Sequence, residues 1–327
     1  MLRLTDAWTW DFWLADDGHR YHVYFLKAPR DIGDPELRHR NATIGHGISS
    51  DLTHWTIAAD ALTPAPSPAF DDIATWTGSI VRGEDSTWFM FYTGVGSSER
   101  GPRQRIGLAT STDLYHWQRH PESPVLAADR RWYEQLPDAL WADEAWRDPW
   151  VFPDRDGDGW HMLITARARH GPADQRGVIG YAQSPDLVHW RARPPLSQAG
   201  EGFGHLEVPQ TEIVSGRPIL LFSCQGRQLA TQRQTAGTGG GIWNVPCQSL
   251  AGPFDPADAV RISDESLYSG RLVRNRAGQW VMLAFRNLGP NESFVGELTD
   301  PMPVGWAADG STLEFQTPAV VSDLCAG

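Results

Sequence analysis

Short apolar segments with alternating polar positions recur along the chain, and each follows a turn. A period of two predicts β-strands that bury one face, and no stretch shows the 3.6-residue period of a long helix. A further short strand is expected in front of each turn. The five segments, which begin 58 to 72 residues apart, are 21–26, 88–93, 160–165, 218–223 and 280–285.

A twelve-residue phrase occurs three times, at 44–55, 106–117 and 179–190. Each copy begins with Ile-Gly, continues through Ser-x-Asp-Leu and ends with His-Trp. We interpret each copy as a strand, a turn and the start of a returning strand, with the three histidines in structural roles. Five repeats built from short antiparallel strands predict an all-β fold, a five-bladed β-propeller, with the first strand of each blade lining a central channel.

The first strands of three repeats begin with an acid: Asp11, Asp148 and Glu207. The corresponding places in the other two repeats carry small residues, at 77–79 and 269–270. In a propeller these five places converge on one end of the channel. Three carboxylates in one pocket repel one another unless a cation or a substrate uses them, so they are predicted to be functional. Glycoside hydrolysis requires two carboxyl groups, one as proton donor and one as nucleophile or base.

Several other side chains near these positions are candidates for contact with a sugar. Arg147, beside Asp148, is expected to hold sugar hydroxyls, and aromatic rings next to the acids are expected either to stack on the sugar or to pack beneath the site. Two polar candidates also have structural alternatives: the Ser79 hydroxyl would only provide room at the channel, and the Gln210 amide would pair a strand. The predicted substrate-binding residues are Trp10, Trp13, Trp76, Ser79, Arg147, His46 and Gln210.

Composition narrows the range of partners. A net charge of −12 argues against nucleic acid or an anionic membrane as the main partner. No apolar run reaches the length of a membrane span, and the N-terminal residues lack the pattern of a secretory signal, so a cytoplasmic location is expected. Three widely spaced cysteines form neither a disulfide framework nor a zinc pattern. No metal or cofactor is therefore expected. The series Asp154, Asp156, Asp158 predicts a tight hairpin turn rather than a calcium loop.

Five stretches of the chain, in this order, resemble the β-fructofuranosidases of glycoside hydrolase family 32 and the related family 68. They are Trp-Asp-Phe-Trp at 10–13, the phrase at 44–55, Trp-Thr-Gly-Ser at 76–79, Trp-Arg-Asp-Pro at 146–149 and Glu-Val-Pro at 207–209. The resemblance covers about residues 8–300. Family 32 usually has Asn-Asp-Pro-Asn at the first motif and Glu-Cys-Pro at the last, and the first motif here is nearer to family 68.

The resemblance implies a role for each acid. Asp11 resembles the family's nucleophile, Asp148 its transition-state stabiliser and Glu207 its acid/base. It also implies a retaining hydrolase of sucrose, levan or inulin-type fructans, with transfer of the fructosyl unit as an alternative outcome. Residues 1–327 are expected to form a single catalytic propeller without the family's C-terminal β-sandwich. Two other interpretations stay open: an inverting arabinanase or xylosidase of the family 43 kind, and a sugar-binding propeller without catalysis.

Overall fold

The protein is described by a computed structural model covering residues 1–97, 103–136 and 144–316. Five antiparallel sheets follow one another along the chain, four with four strands and the last with five. They form the blades of a five-bladed β-propeller, as the repeats predict. The blades are β1 (Ala7–Asp16), β2 (Tyr21–Pro29), β3 (Thr43–Ser49) and β4 (Thr56–Ile57); β5 (Ala74–Arg82), β6 (Trp88–Gly96), β7 (Arg103–Ser111) and β8 (Gln118–Arg119); β9 (Trp146–Pro153), β10 (Trp160–Arg167), β11 (Gly177–Ser184) and β12 (Arg191–Arg193); β13 (Glu207–Val214), β14 (Arg217–Cys224), β15 (Gly241–Pro246) and β16 (Val260–Arg261); and β17 (Leu267–Arg274), β18 (Trp280–Leu288), β19 (Phe294–Leu298), β20 (Met302–Trp306) and β21 (Leu313–Phe315).

Helical segments of the described ranges are short. The α-helix α1 (Thr231–Thr235) has five residues. Within the same ranges no helix is long and apolar enough to cross a membrane. The 3-10 turns include Arg30–Ile32, Pro35–Arg40, Ala173–Gln175, Gly226–Gln228, Pro256–Asp258 and Pro290–Glu292.

The repeated phrase forms the third strand and the following turn in each of the first three blades. In the first copy, Leu52 has a φ of 67°, and the backbone N–H groups of Thr53 and His54 both donate to Asp51 Oδ1 at 2.8 Å. These bonds, together with the His54 ring, hold the pKa of Asp51 well below its usual range. His116 and His189 pair with Asp113 and Asp186 in the same way. The three histidines are therefore exposed turn residues, as expected.

The apolar core lies within and between the blades. Inward-facing residues of β1 to β3 form one cluster that continues into the second blade, and Phe91, Trp146 and Ile164 belong to another between the second and third blades. Sheets that bury both faces against neighbouring blades have no large exposed apolar face. The packing fixes the five first strands around the channel, where each contacts the first strands beside it.

The ring closes where the first and fifth blades meet. Leu2 pairs with Leu298 in an isolated antiparallel bridge, and the Thr9 hydroxyl donates to the Gly296 carbonyl at 3.2 Å. Strands β20 and β21 extend the fifth blade, so residues after 300 do contribute its last strands. Residues 317–327, including Cys325, lie outside the described ranges. Cys224 and Cys247 are free thiols, not disulfide-bonded.

Candidate active site

Every first strand is interrupted by a β-bulge at the same end of the channel. The register with the second strand shifts between Trp10 and Phe12, between Trp76 and Gly78, and opposite Asp148 in the third blade. The fourth and fifth blades shift at 207–210 and 268–271. A bulge places one extra residue in the strand and turns its side chain out of the regular alternation. The five bulges thereby direct side chains from all five blades to one place.

Three bulges contain non-glycine residues with left-handed backbone conformations. The φ angles are 57° for Asp148, 54° for Val208 and 50° for Ser269. Such conformations cost about 1–3 kcal/mol each and persist where the surrounding structure enforces them, often at active sites. Asp148 is one of the acids, Val208 directly follows Glu207, and Ser269 donates to Asp11, which marks this end of the channel as the candidate site.

The three predicted acids line one cavity of about 170 Å³. This volume is below the range of about 300–1,000 Å³ typical for drug-sized ligands, and it suits a single sugar unit. Larger cavities of about 200 to 570 Å³ lie elsewhere among the described residues, but none of them is lined by acids from three different blades. The convergence of the three acids rather than volume therefore identifies the site. The lining residues are Trp10, Asp11, Leu26, His39, Trp76, Thr77, Arg147, Asp148, Glu207, Gln225, Arg227 and Gln228.

Asp11 is held by two hydroxyl groups. Thr77 donates to Oδ2 at 2.9 Å, and Ser269 donates to Oδ1. Burial raises the pKa of Asp11, and the two hydroxyls and Arg271 oppose that effect. Both donors come from the two blades that carry no acid, so these blades orient the carboxylate that the first blade supplies.

Asp148 is more deeply buried, with 2% of its surface exposed. Its Oδ2 accepts from the Thr165 hydroxyl at 2.8 Å and from the Val208 backbone N–H at 3.2 Å, whereas Oδ1 receives no hydrogen bond from the described residues. Burial raises the pKa of Asp148 to about 7, although Arg147, 3.7 Å away, lowers it. One carboxylate oxygen is thus fixed by the protein and the other is left for a ligand.

Glu207 bonds to groups on both sides. Arg147 Nη2 donates to Oε1 at 2.6 Å, and the Tyr268 hydroxyl donates to Oε2. Burial raises the pKa of Tyr268 well above its usual range, which keeps the phenol protonated as a donor. The same Arg147 amino group lies 3.1 Å from His205 Nδ1. Burial lowers the pKa of His205 well below its usual value, so this imidazole is neutral and Nδ1 accepts the bond.

Asp148 gives the protein a specific pH dependence of stability. Because its folded pKa of about 7 exceeds the value of 3.8 for a free aspartate, the folded state holds the proton more tightly. The stabilisation is complete below pH 3.8 and is lost as the pH rises through about 7. We expect the melting temperature of Asp148→Asn to exceed that of the wild type by a margin that grows as the pH rises from 5.5 to about 7 and is constant at higher pH. Tryptophan fluorescence melts measure this.

A matched control comes from the exposed turn between β9 and β10, where Asp156→Asn changes a solvated carboxylate. Its melting temperature is expected to follow the wild type at every pH. A constant difference between Asp148→Asn and the wild type across this range would contradict the raised pKa.

Three of the seven predicted substrate-binding residues line the cavity: Trp10, Trp76 and Arg147. The Trp10 indole N–H is buried and has no hydrogen-bond partner among the described residues. An unpaired buried donor beside a cavity is a position for a ligand acceptor. Trp76 is fixed by a 2.7 Å bond from its indole N–H to the His39 carbonyl.

The other four predicted residues do not line this cavity. Trp13 is fully buried and stacks on Tyr24, with ring centroids 6.1 Å apart. His46 lies on the third strand, stacked at 4.7 Å on the same Tyr24, and its Nε2 lies 2.9 Å from His22 Nδ1. Burial lowers the pKa of His46 to about 4, which is typical of a core histidine.

Ser79 and Gln210 instead join neighbouring blades. The Ser79 hydroxyl oxygen accepts from the Val151 backbone N–H at 3.1 Å. The Gln210 amide bonds to both backbone groups of Leu272, donating at 3.0 Å and accepting at 2.8 Å. The bulge between Trp76 and Gly78 reverses the alternation after it, which turns Ser79 away from the site and Thr77 toward it.

The site also contains residues that the sequence did not single out. Thr77, Ser269 and Tyr268 occupy the places equivalent to the acids or adjoin them, so the repeat alignment contained a signal for them. His39 and the segment Gln225–Gln228 lie in connections between second and third strands. These connections differ in sequence among the described residues, so periodicity carries no signal for them. Desolvation in the pocket and the neighbouring Arg38 lower the pKa of His39 to about 3, so its imidazole is neutral.

Comparison with known sequences gives a family. Residues 14–287 match the Glycosyl hydrolases family 32 N-terminal domain. Sucrose-6-phosphate hydrolase of Bacillus subtilis is 30% identical over 212 residues, covering 63% of this chain and 39% of that protein. Beta-fructofuranosidase 1 of Zea mays is 28% identical over 264 residues, covering 75% of this chain and 36% of that protein. The chain thus spans less than half the length of these two relatives.

Solved structures share the fold. Inulosucrase from Halalkalicoccus jeotgali, bound to kestose, superposes with a TM-score of 0.76 at 20% identity, covering 97% of this chain and 89% of that one. Levansucrase from Gluconacetobacter diazotrophicus superposes with a TM-score of 0.71 at 18% identity, covering 97% of this chain and 82% of that one. The family match includes Asp148 and Glu207 and begins three residues after Asp11, whose place in the site rests on the geometry above. With most of its length matched, the chain belongs to glycoside hydrolase family 32.

Proposed function

We propose that the protein is a retaining β-fructosidase that cleaves sucrose or β-fructans through a covalent fructosyl-enzyme. The observation that carries the proposal is the convergence of Asp11, Asp148 and Glu207 on one cavity, with Arg147 between two of them. Two carboxyl groups and a stabilising third are what such a reaction requires. Membership of family 32 favours this function over the family 43 alternative and over a binding protein without catalysis.

In the first half-reaction Asp11 attacks the anomeric carbon of the fructosyl unit while Glu207 protonates the departing glycosidic oxygen. The bond to the leaving group breaks as the ester bond to Asp11 forms. The Thr77 and Ser269 hydroxyls hold the Asp11 carboxylate in one orientation before the reaction. The carboxylate therefore loses less rotational entropy when it attacks. In the second half-reaction Glu207 accepts a proton from water, and the water oxygen displaces Asp11.

Asp148 stabilises the transition state in this scheme. Its free Oδ1 would accept hydrogen bonds from ring hydroxyls, and these bonds strengthen as positive charge develops on the sugar. The Trp10 indole N–H, which also lines the cavity, would donate to another sugar oxygen. Arg147 lowers the pKa of Asp148 by Coulomb attraction and orients Glu207 through the 2.6 Å bond.

The rim of the cavity would receive the rest of the substrate. Arg227 is exposed there, and its only side-chain bond among the described residues joins Nε to Gln225 Oε1 at 2.7 Å. Its terminal amino groups can therefore bond the hydroxyls of a leaving group or an acceptor sugar. Water and a sugar acceptor share the first half-reaction, so hydrolysis and fructosyl transfer are both compatible with this rim.

A substrate panel tests the proposal. The purified protein is incubated with sucrose, levan, inulin and fructose disaccharides, and products are separated by chromatography. We expect release of fructose or of fructose oligomers, and methyl β-fructofuranoside when methanol is added as an acceptor. Formation of the α-anomer would indicate inversion, and no turnover of any fructoside would exclude the proposed function. Xylan and arabinan serve as negative controls.

Carbohydrate is the proposed partner of the site. A cytoplasmic location remains a prediction that rests on the sequence, and fractionation of the source cells tests it.

A further inference from the structure

Arg271 lies on β17 directly behind the three acids, with 1% of its surface exposed. Its Nε donates to the Phe12 carbonyl at 3.1 Å, and its Nη1 donates to the carbonyls of Val208 and Pro209 at 3.3 and 3.0 Å. Phe12 directly follows Asp11, and Val208 directly follows Glu207. One guanidinium group therefore joins the bulge of the first blade to the bulge of the fourth.

Among the described residues the Arg271 guanidinium forms no ion pair within 4.0 Å. Asp16 and Glu212 border a cavity that Arg271 also borders, but the carboxylates that attract its charge are Asp148 and Asp11. Burial lowers the pKa of Arg271 to about 10, so it is protonated near neutral pH. A buried cation without compensation is strongly unfavourable. The acids of the site compensate it, and it compensates them in return.

The position of Arg271 complements that of Arg147. Arg147 contacts Asp148 and Glu207 from the cavity side. Arg271 borders a second cavity of about 200 Å³ at the other end of the channel, where its guanidinium lies 5.3 Å from the Trp150 ring. The acids therefore lie between two guanidinium groups.

We propose that Arg271 is a positioning residue of this site. It fixes the separation between Asp11 and Glu207 through their neighbouring carbonyls, and its charge favours the ionised forms of Asp11 and Asp148. The inference rests on the proposed function, because the separation of nucleophile and acid/base is what the reaction depends on. A misplacement of about 1 Å costs on the order of 10²-fold in rate.

Two substitutions separate the charge from the hydrogen bonds. Arg271→Met removes both, and we expect kcat on the best fructoside to fall about 10²-fold or more with KM changed much less. We also expect the acidic limb of kcat/KM to move to higher pH, because Asp11 and Asp148 lose a nearby positive charge. Arg271→Lys keeps the charge but not the three hydrogen bonds. The acidic limb of its kcat/KM profile should therefore stay at the wild-type pH while kcat falls.

Arg167 is the matched control, since it is equally buried but pairs with Glu134 at 3.2 Å and bonds the Gly204 carbonyl. Arg167→Met is expected to lower the melting temperature without moving the acidic limb. The proposal is wrong if Arg271→Met keeps the wild-type kcat and the wild-type acidic limb of kcat/KM. It is also wrong if Arg271→Met changes these two quantities only as much as Arg167→Met does.

A second measurement does not depend on activity. Arg271→Met is expected to lower the melting temperature by about 2–4 °C more in the wild-type background than in Asp11→Asn, because only a charged Asp11 needs the guanidinium. Equal losses in both backgrounds would contradict the charge coupling. If the wild-type protein turns over no fructoside, the proposed function fails while this comparison still decides the role of Arg271.

Discussion

Replacing Asp11 with asparagine is expected to lower kcat on a β-fructoside by about 10⁴-fold or more. Without the carboxylate there is no nucleophile to form the fructosyl ester, and the amide that replaces it keeps almost the same shape. One of the Thr77 and Ser269 hydroxyls can still donate to the amide oxygen, and the other can accept from the amide N–H, so the fold should survive. Because burial raises the pKa of Asp11, losing its charge should leave stability unchanged or improve it.

Initial rates on the best fructoside, with melting temperatures measured in parallel, test this expectation. Asp16→Asn is the control, since it makes the same change five residues further along β1, where the carboxylate pairs with exposed Arg276 at 2.6 Å. That variant should retain wild-type kcat. Asp11→Asn with more than a few per cent of wild-type activity would remove Asp11 from the nucleophile role and leave the other two acids in need of a new assignment.

The repeats made the architecture predictable because the same strand pattern recurs in each of the five blades. The apolar alternation at 88–93 or 280–285 is weak by itself, but its recurrence at similar spacing identifies second strands that the structure confirms in β6 and β18. The convergence of Asp11, Asp148 and Glu207 follows from the same symmetry, although 196 residues separate the first from the last. Blade position, rather than sequence distance, decides which side chains meet.

Bulges and single-copy loops set the limit of that prediction. Strand alternation places Ser79 and Thr77 on the same face, and only the bulge after Trp76 sends Thr77 to Asp11 and Ser79 to the blade interface. Bulges leave no distinct residue signature, since Asp148, Val208 and Ser269 all adopt positive φ without being glycine. The loop Gln225–Gln228 differs in sequence from the corresponding described loops of the other blades, so comparing repeats does not find it.

Glu207→Gln is expected to lower kcat on sucrose by about 10²- to 10⁴-fold, the usual contribution of a general acid/base. Glucose is a poor leaving group that requires protonation, and the amide cannot supply the proton. The phenolate of an aryl β-fructofuranoside departs without protonation. The rate of the first half-reaction with this substrate should therefore fall much less. The fructosyl ester would then accumulate, because the second half-reaction still needs a base to activate water. We therefore expect a burst of phenol followed by slow turnover.

Added azide sharpens this test, because it attacks the ester without base assistance and should restore turnover of the aryl substrate as a β-fructosyl azide product. Glu212→Gln supplies the control, since Glu212 lies on the same strand and borders the cavity at the opposite end of the channel. It should show neither burst nor azide rescue. Equal losses on sucrose and on the aryl substrate, without rescue, would mean that Glu207 acts by holding Arg147 and Tyr268 in place, and the proton donor would have to be sought among the other acids of the cavity.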